Sequence, residues 1–136
     1  MTTRATGSFE IDTWDPETII EADGWQLGRV RLTKRFQGDL EASGVVEMLS
    51  AVIDGTPTAY VAIERIEGRL AGKDGALLVQ HAAPSGDVPI RLSIVAGSGR
   101  RAWAGISGDF SIDVAPDGSH SYTIDYTLGD SNVGEP

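Results

Sequence analysis

The sequence predicts an all-β fold, an eight-stranded antiparallel up-and-down barrel. Three observations carry that expectation. Val, Ile, Thr, Tyr and Phe recur with a period of two, so alternate residues share a face as they do in strands. Glycine-rich reversals break these runs about every dozen residues. The runs also align as hairpins with one apolar and one polar face. Eight strands joined in order close around an interior that side chains fill or that holds one small ligand.

The first strand is 5–14, with Ala5, Gly7, Phe9 and Ile11 on one face and Thr6, Ser8, Glu10 and Asp12 on the other. Asp15-Pro16 reads as a break, and 17–22 as a short helical turn, since proline suits a first helical position. Residues 25–36 and 40–53 make the next hairpin. A Gln37-Gly38-Asp39 loop sets Phe36 opposite Leu40 and gathers Val30, Leu32, Phe36, Leu40, Val46 and Met48 on one face, with Lys34 the one charged exception. The other face then pairs Arg35 with Glu41 and Arg29 with Glu47, ion pairs of a solvated surface.

Asp54-Gly55-Thr56-Pro57 turns the chain into a central hairpin, residues 60–83. With Lys73 and Asp74 as its loop, Leu70 opposes Leu77 and Ile66 opposes His81. Tyr60, Ala62, Glu64 and Ile66 then share a face with Leu77, Val79 and His81, while Arg65, Glu67, Arg69 and Gln80 face outward. Glu64 and His81 become diagonal neighbours on an otherwise apolar face, within side-chain reach. After a loop at 84–87 come a strand with Ile90, Leu92 and Ile94, the glycine-rich stretch 96–108, and a last hairpin around Pro116-Asp117-Gly118. That hairpin aligns Phe110, Ile112 and Val114 with Tyr122, Ile124 and Tyr126.

Composition narrows the function classes. The 136 residues form one domain, 1–130, followed by a flexible tail, 131–136. Hydrophobic content of 40% and charged content of 23% fit a folded chain. No apolar run is long enough to span a membrane, and the N-terminus lacks a secretory segment, so the expected location is cytoplasmic. A net charge of -9 opposes binding to nucleic acid or anionic membranes. With no cysteine there is no disulfide, thiolate site or cysteine nucleophile.

The stretches 60–68 (YVAIERIEG), 75–81 (GALLVQH) and 97–108 (GSGRRAWAGISG), with Gly38-Asp39-Leu40-Glu41 and 122–128, resemble the domain-of-unknown-function family 3224. The likeness runs over roughly 4–129. That family is related to the allene oxide cyclase barrels and, more remotely, to dirigent proteins. The resemblance implies an allene oxide cyclase-like barrel, lipocalin-like in outline, with an elongated apolar cavity. It also implies cyclase or isomerase chemistry without metal or organic cofactor, as in barrels of bacterial secondary metabolism, and assembly into a homo-oligomer. One departure is Arg100-Arg101-Ala102-Trp103, where the family usually has small residues and an acidic one.

Glu64 and His81 are the expected catalytic pair: the carboxylate orients and charges an imidazole that moves a proton on a bound substrate. The plainer alternative is that each satisfies the other inside an apolar interior, as buried ionisable groups must be partnered in any case. Tyr60, Met48, Trp103 and Tyr126 are the expected ligand-binding residues, with Trp103 capping one end of the cavity. The expected partner is a small apolar molecule. The glycines of 97–108 lack the Gly-Lys-Ser/Thr ending of a phosphate loop, and two histidines on separate elements make no metal site. His120 reads as an exposed turn residue. The alternative functions are a non-catalytic small-molecule-binding barrel and a filled barrel acting through its surface.

Overall fold

The computed structural model describes residues 2–85 and 90–129; the expected tail at 131–136 lies outside them. Nine antiparallel strands form one sheet: β1 Thr3–Ala22, β2 Trp25–Gly38, β3 Leu40–Ile53, β4 Thr56–Leu70, β5 Lys73–Ala83, β6 Arg91–Ile94, β7 Arg100–Arg101, β8 Ser107–Val114 and β9 His120–Thr127. Neighbours run β4-β3-β2-β1-β9-β8-β6-β5-β7, and pairing of β4 with β5 closes this order into a ring. The ninth strand, absent from the expected count, is the Arg100–Arg101 piece laid on Gly75 and Ala76 of β5. No helix is present among the described residues.

The expected helical turn at 17–22 is corrected to strand. β1 passes through Pro16, which sits opposite Val30, and continues to Ala22. β9 accompanies β1 only from Thr3 to Phe9, so Pro16 falls where β1 has no strand on that side and its missing N–H costs no ladder bond. The break expected at Asp15-Pro16 does not occur, and the chain reverses at Asp23-Gly24. There φ values of 55° and 80° give the tight turn whose twist matches flanking strands. Asp54-Gly55 and Ala71-Gly72 adopt the same left-handed pair.

Two registers also differ from expectation. Phe36 opposes Ala42, not Leu40, because Gln37 and Gly38 pair with Ser8 and Gly7 of β1. Asp39 locks that corner: its N–H donates to Thr6 O at 3.1 Å, and its carboxylate accepts from Thr6 N–H at 2.9 Å. Consequently the expected Arg35–Glu41 and Arg29–Glu47 pairs are replaced. Arg31 meets Glu47 at 2.8 Å, Arg35 meets Asp12 at 2.9 Å and Arg29 meets Glu17 at 3.3 Å. In the central hairpin the loop is Ala71-Gly72, so Leu70 opposes Lys73 and Ile66 opposes Leu77. Both shifts are even, and every side chain keeps its expected face.

The interior divides into two ends. One is filled by Phe9, Phe36, Leu40, Ile66, Leu77, Val79, Trp103, Ile106, Phe110, Tyr122, Ile124 and Tyr126, with Phe36 and Tyr122 edge to face at 5.7 Å. Tyr122 ties this end to the corner, accepting from Leu40 N–H at 2.8 Å and donating to Gln37 O at 3.0 Å. The other end is walled by Val30, Leu32, Val46 and Ala62, with Met48 and Tyr60 against them, and is open.

Candidate functional site

Among the described residues, one Lys, one Glu and one His side chain are buried in the ring: Lys34 on β2, Glu64 on β4 and His81 on β5. Each stands two residues from a member of the filled end on the same strand face, Phe36, Ile66 and Val79 respectively. Two residues the other way lie Leu32, Ala62 and Ala83. The three polar residues therefore form one layer, the boundary between packed core and open cavity.

Register builds the layer. His81 opposes Ala62 while Glu64 opposes Val79, which leaves Glu64 and His81 diagonal neighbours. His81 Nε2 lies 2.8 Å from Glu64 Oε1, and Lys34 Nζ lies 3.3 Å from the same oxygen. Lys34 Nζ also sits over the Phe9 ring, 4.7 Å from its centroid, where the negative face of the π system favours a cation. Glu64 is 2% exposed, and its Oε2 has no hydrogen-bond partner. Gly44 supplies the room for that oxygen: a Cβ at Gly44 would collide with Oε2 and reach Phe36 Cε1 at 3.0 Å.

Above this layer is a cavity of about 730 Å³, a size suited to a small organic ligand. Lys34 and His81 reach its floor, while Glu64 lies beneath them and does not line it. Met48 and Tyr60 line the wall. Burial first, and then the nearby Glu64 charge, push the Tyr60 hydroxyl above its ordinary pKa, so Tyr60 presents a neutral donor.

Trp103 and Tyr126 do not belong to this cavity. Trp103 is 1% exposed in the filled end, and its Nε1–H donates to Lys73 O at 2.8 Å. Its ring lies against Gly75, where a Cβ would collide with it. Tyr126 packs in the same cluster. The Arg100–Trp103 stretch thus packs at the filled end, and none of its residues lines the cavity. Arg101 pairs with Glu67 at 2.8 Å, and the Arg100 guanidinium donates to Gly97 O and Gly99 O.

Two residues were missed. Lys34 was visible as the lone charge on an apolar face but was given no role. His120 is not in an exposed turn: it starts β9, stacks on Phe9 at 4.8 Å and lines the cavity. Its signal was parity, since His120 shares the face of Tyr122, Ile124 and Tyr126. Among the described residues, no cluster of His, Asp and Glu has the arrangement of a metal site. Among the described residues, no helix is long and apolar enough to cross a membrane.

Comparisons place the chain among relatives. No curated protein matches it. A crystal structure of a protein with unknown function from the DUF3224 family of Shewanella oneidensis MR-1 superposes with a TM-score of 0.85 at 34% identity, covering 94% of this chain and 98% of that one. Residues 5–126 match the family described as "Protein of unknown function (DUF3224)". With that match over most of its length, the chain belongs to the DUF3224 family.

Proposed function

We propose that the ring is an eight-stranded, allene oxide cyclase-like barrel, lipocalin-like in outline, which holds a small apolar molecule. In this reading it works as a cofactor-independent cyclase or isomerase. The observation that carries this is the Glu64–His81 contact at the floor of an apolar cavity, with Lys34 beside it.

The chemistry follows from which atoms are occupied. A neutral imidazole carrying its proton on Nε2 donates to Glu64 Oε1, which leaves the Nδ1 lone pair available. The His81 hydrogen bond among the described residues is the one between Nε2 and Glu64 Oε1. Glu64 fixes the tautomer and the ring orientation, and stabilises the imidazolium formed when Nδ1 takes a proton. The Lys34 ammonium sits where negative charge develops on a substrate oxygen. A proton removed from one carbon and returned to another isomerises the substrate without a redox partner. Apolar walls hold the substrate in one conformation, the contribution a cyclisation needs most.

The test is native mass spectrometry of gently purified protein, to identify a co-purified molecule, followed by turnover of that molecule by wild type and His81→Asn. We expect a loss of about 10²- to 10⁴-fold in rate with binding retained. Binding without turnover in wild type leaves a carrier, and an empty cavity that takes up no apolar molecule ends the proposal. Self-association belongs to the same reading. Leu49 and Val61 pair across β3 and β4 on the outer face and are 52% and 54% exposed, an apolar surface that a second copy would cover. Light scattering on wild type and Val61→Lys reads it.

A further inference from the structure

The chain carries 20 Asp and Glu against 11 Lys and Arg, yet among the described residues no carboxylate lines the cavity. Its two histidines, His81 and His120, both line it, together with the buried Lys34. Among the described lining residues the one formal charge is that of Lys34, inside an acidic protein. We propose that the cavity's ligand is an apolar acid, bound with a carboxylate head on the floor at Lys34 and its hydrocarbon body along the Met48–Tyr60 wall. This rests on the cavity being a binding site, as argued above, and adds the chemical class of what it takes.

Three features of the floor favour an anion. Lys34 carries the one ammonium or guanidinium group among the described lining residues. Lys34 has a single acceptor among the described residues, at a long 3.3 Å, which leaves N–H donors uncommitted at an apolar surface. Glu64, the carboxylate paired with Lys34, does not line the cavity, so an incoming carboxylate meets the ammonium first. A charge-assisted bond made in this poorly hydrated place is stronger than the same bond at the surface. The apolar wall above supplies the rest of the affinity and selects a ligand with a hydrocarbon body.

The experiment titrates full-length protein with decanoate, decanol and methyl decanoate, following heat of binding. Wild type should prefer decanoate over decanol by roughly tenfold or more, the value of one charge-assisted bond. Lys34→Met should erase that preference while decanol binding stays within about threefold, and Lys34→Arg should keep it. Equal binding of acid and alcohol by wild type overturns the inference and leaves the cavity a site for neutral molecules. So does a preference that survives in a folded Lys34→Met. Should Lys34→Met fail to fold, the wild-type comparison decides alone. If none of the three compounds binds, the apolar-ligand reading falls as well.

Discussion

Glu64 Oε1 is shared: it lies 2.8 Å from His81 Nε2 and 3.3 Å from Lys34 Nζ, while Oε2 of the same carboxylate is buried without a partner. A carboxylate placed this way holds two basic groups at one height in the ring. It also leaves part of its own hydrogen-bonding capacity unused, a cost that a purely structural ion pair has no reason to carry.

Removing that carboxylate strands a buried ammonium. Glu64→Ala should destabilise the protein by about 3–5 kcal/mol, because the Lys34 charge loses its counter-ion while still buried. Combining Glu64→Leu with Lys34→Met removes both charges and should cost much less than the two single changes together. Urea unfolding of the four proteins checks this, and additive losses would show that the two groups are not coupled.

Gly44 makes space for Glu64. Gly44→Ala sets a methyl against Oε2 and the Phe36 ring, so either the carboxylate or the strand has to move. We expect a loss of about 1–3 kcal/mol, the usual range for overpacking. We also expect weaker activity or ligand binding at His81, read in the same preparations. A neutral outcome would mean that the carboxylate does not need its present position.

The two ends of the ring should respond independently. Trp103→Ala opens a void in the filled end and should cost about 3–5 kcal/mol, with cavity binding unchanged in the folded fraction. Met48→Trp fills the open end. It should block decanoate uptake while changing stability by less than about 1.5 kcal/mol, since there is room for the larger ring. Loss of binding in Trp103→Ala at full folding would contradict the division into two ends.

Alkaline stability should be governed by the tyrosines. Burial, above all, raises the pKa of Tyr60, Tyr122 and Tyr126. Below the ordinary tyrosine value of about 10 both folded and unfolded chains keep these protons, and stability is flat with respect to them. Above it the unfolded chain releases protons that the folded one retains, so stability falls as pH rises toward the folded pKa values. Tyr122→Phe should shallow that fall. It should also cost about 1–3 kcal/mol at neutral pH, because the Leu40 N–H loses its acceptor. Denaturant midpoints across pH 8 to 11 measure both.

The hairpins show which part of this was legible. Expected and observed registers differ by two residues at Phe36 and by four at Leu70, yet each residue lies on its expected face. Face is set by alternation of apolar and polar residues, which any even slip preserves. Exact pairing depends on turn conformation, as at Ala71-Gly72, and on competition from β1 for Gln37 and Gly38, which no single hairpin reveals. Asp23-Gly24 takes the left-handed pair of a hairpin turn, and Pro16 is accommodated inside β1 because β9 does not extend past Phe9 on that side.

The alternation along the chain determined by itself that this is an all-β protein, and that Glu64 and His81 share the inner face. Its acidic balance likewise set the net charge. Only the tertiary structure decided that Lys34 and His120 join them, that Trp103 and Tyr126 go to the filled end, and that a cavity remains. The reason is distance along the chain. Lys34 and Glu64 are 30 residues apart and Glu64 and His81 are 17, so their common height depends on how strands from separate hairpins stagger around the ring. That stagger is a property of the closed sheet, fixed by all its turns and pairings at once.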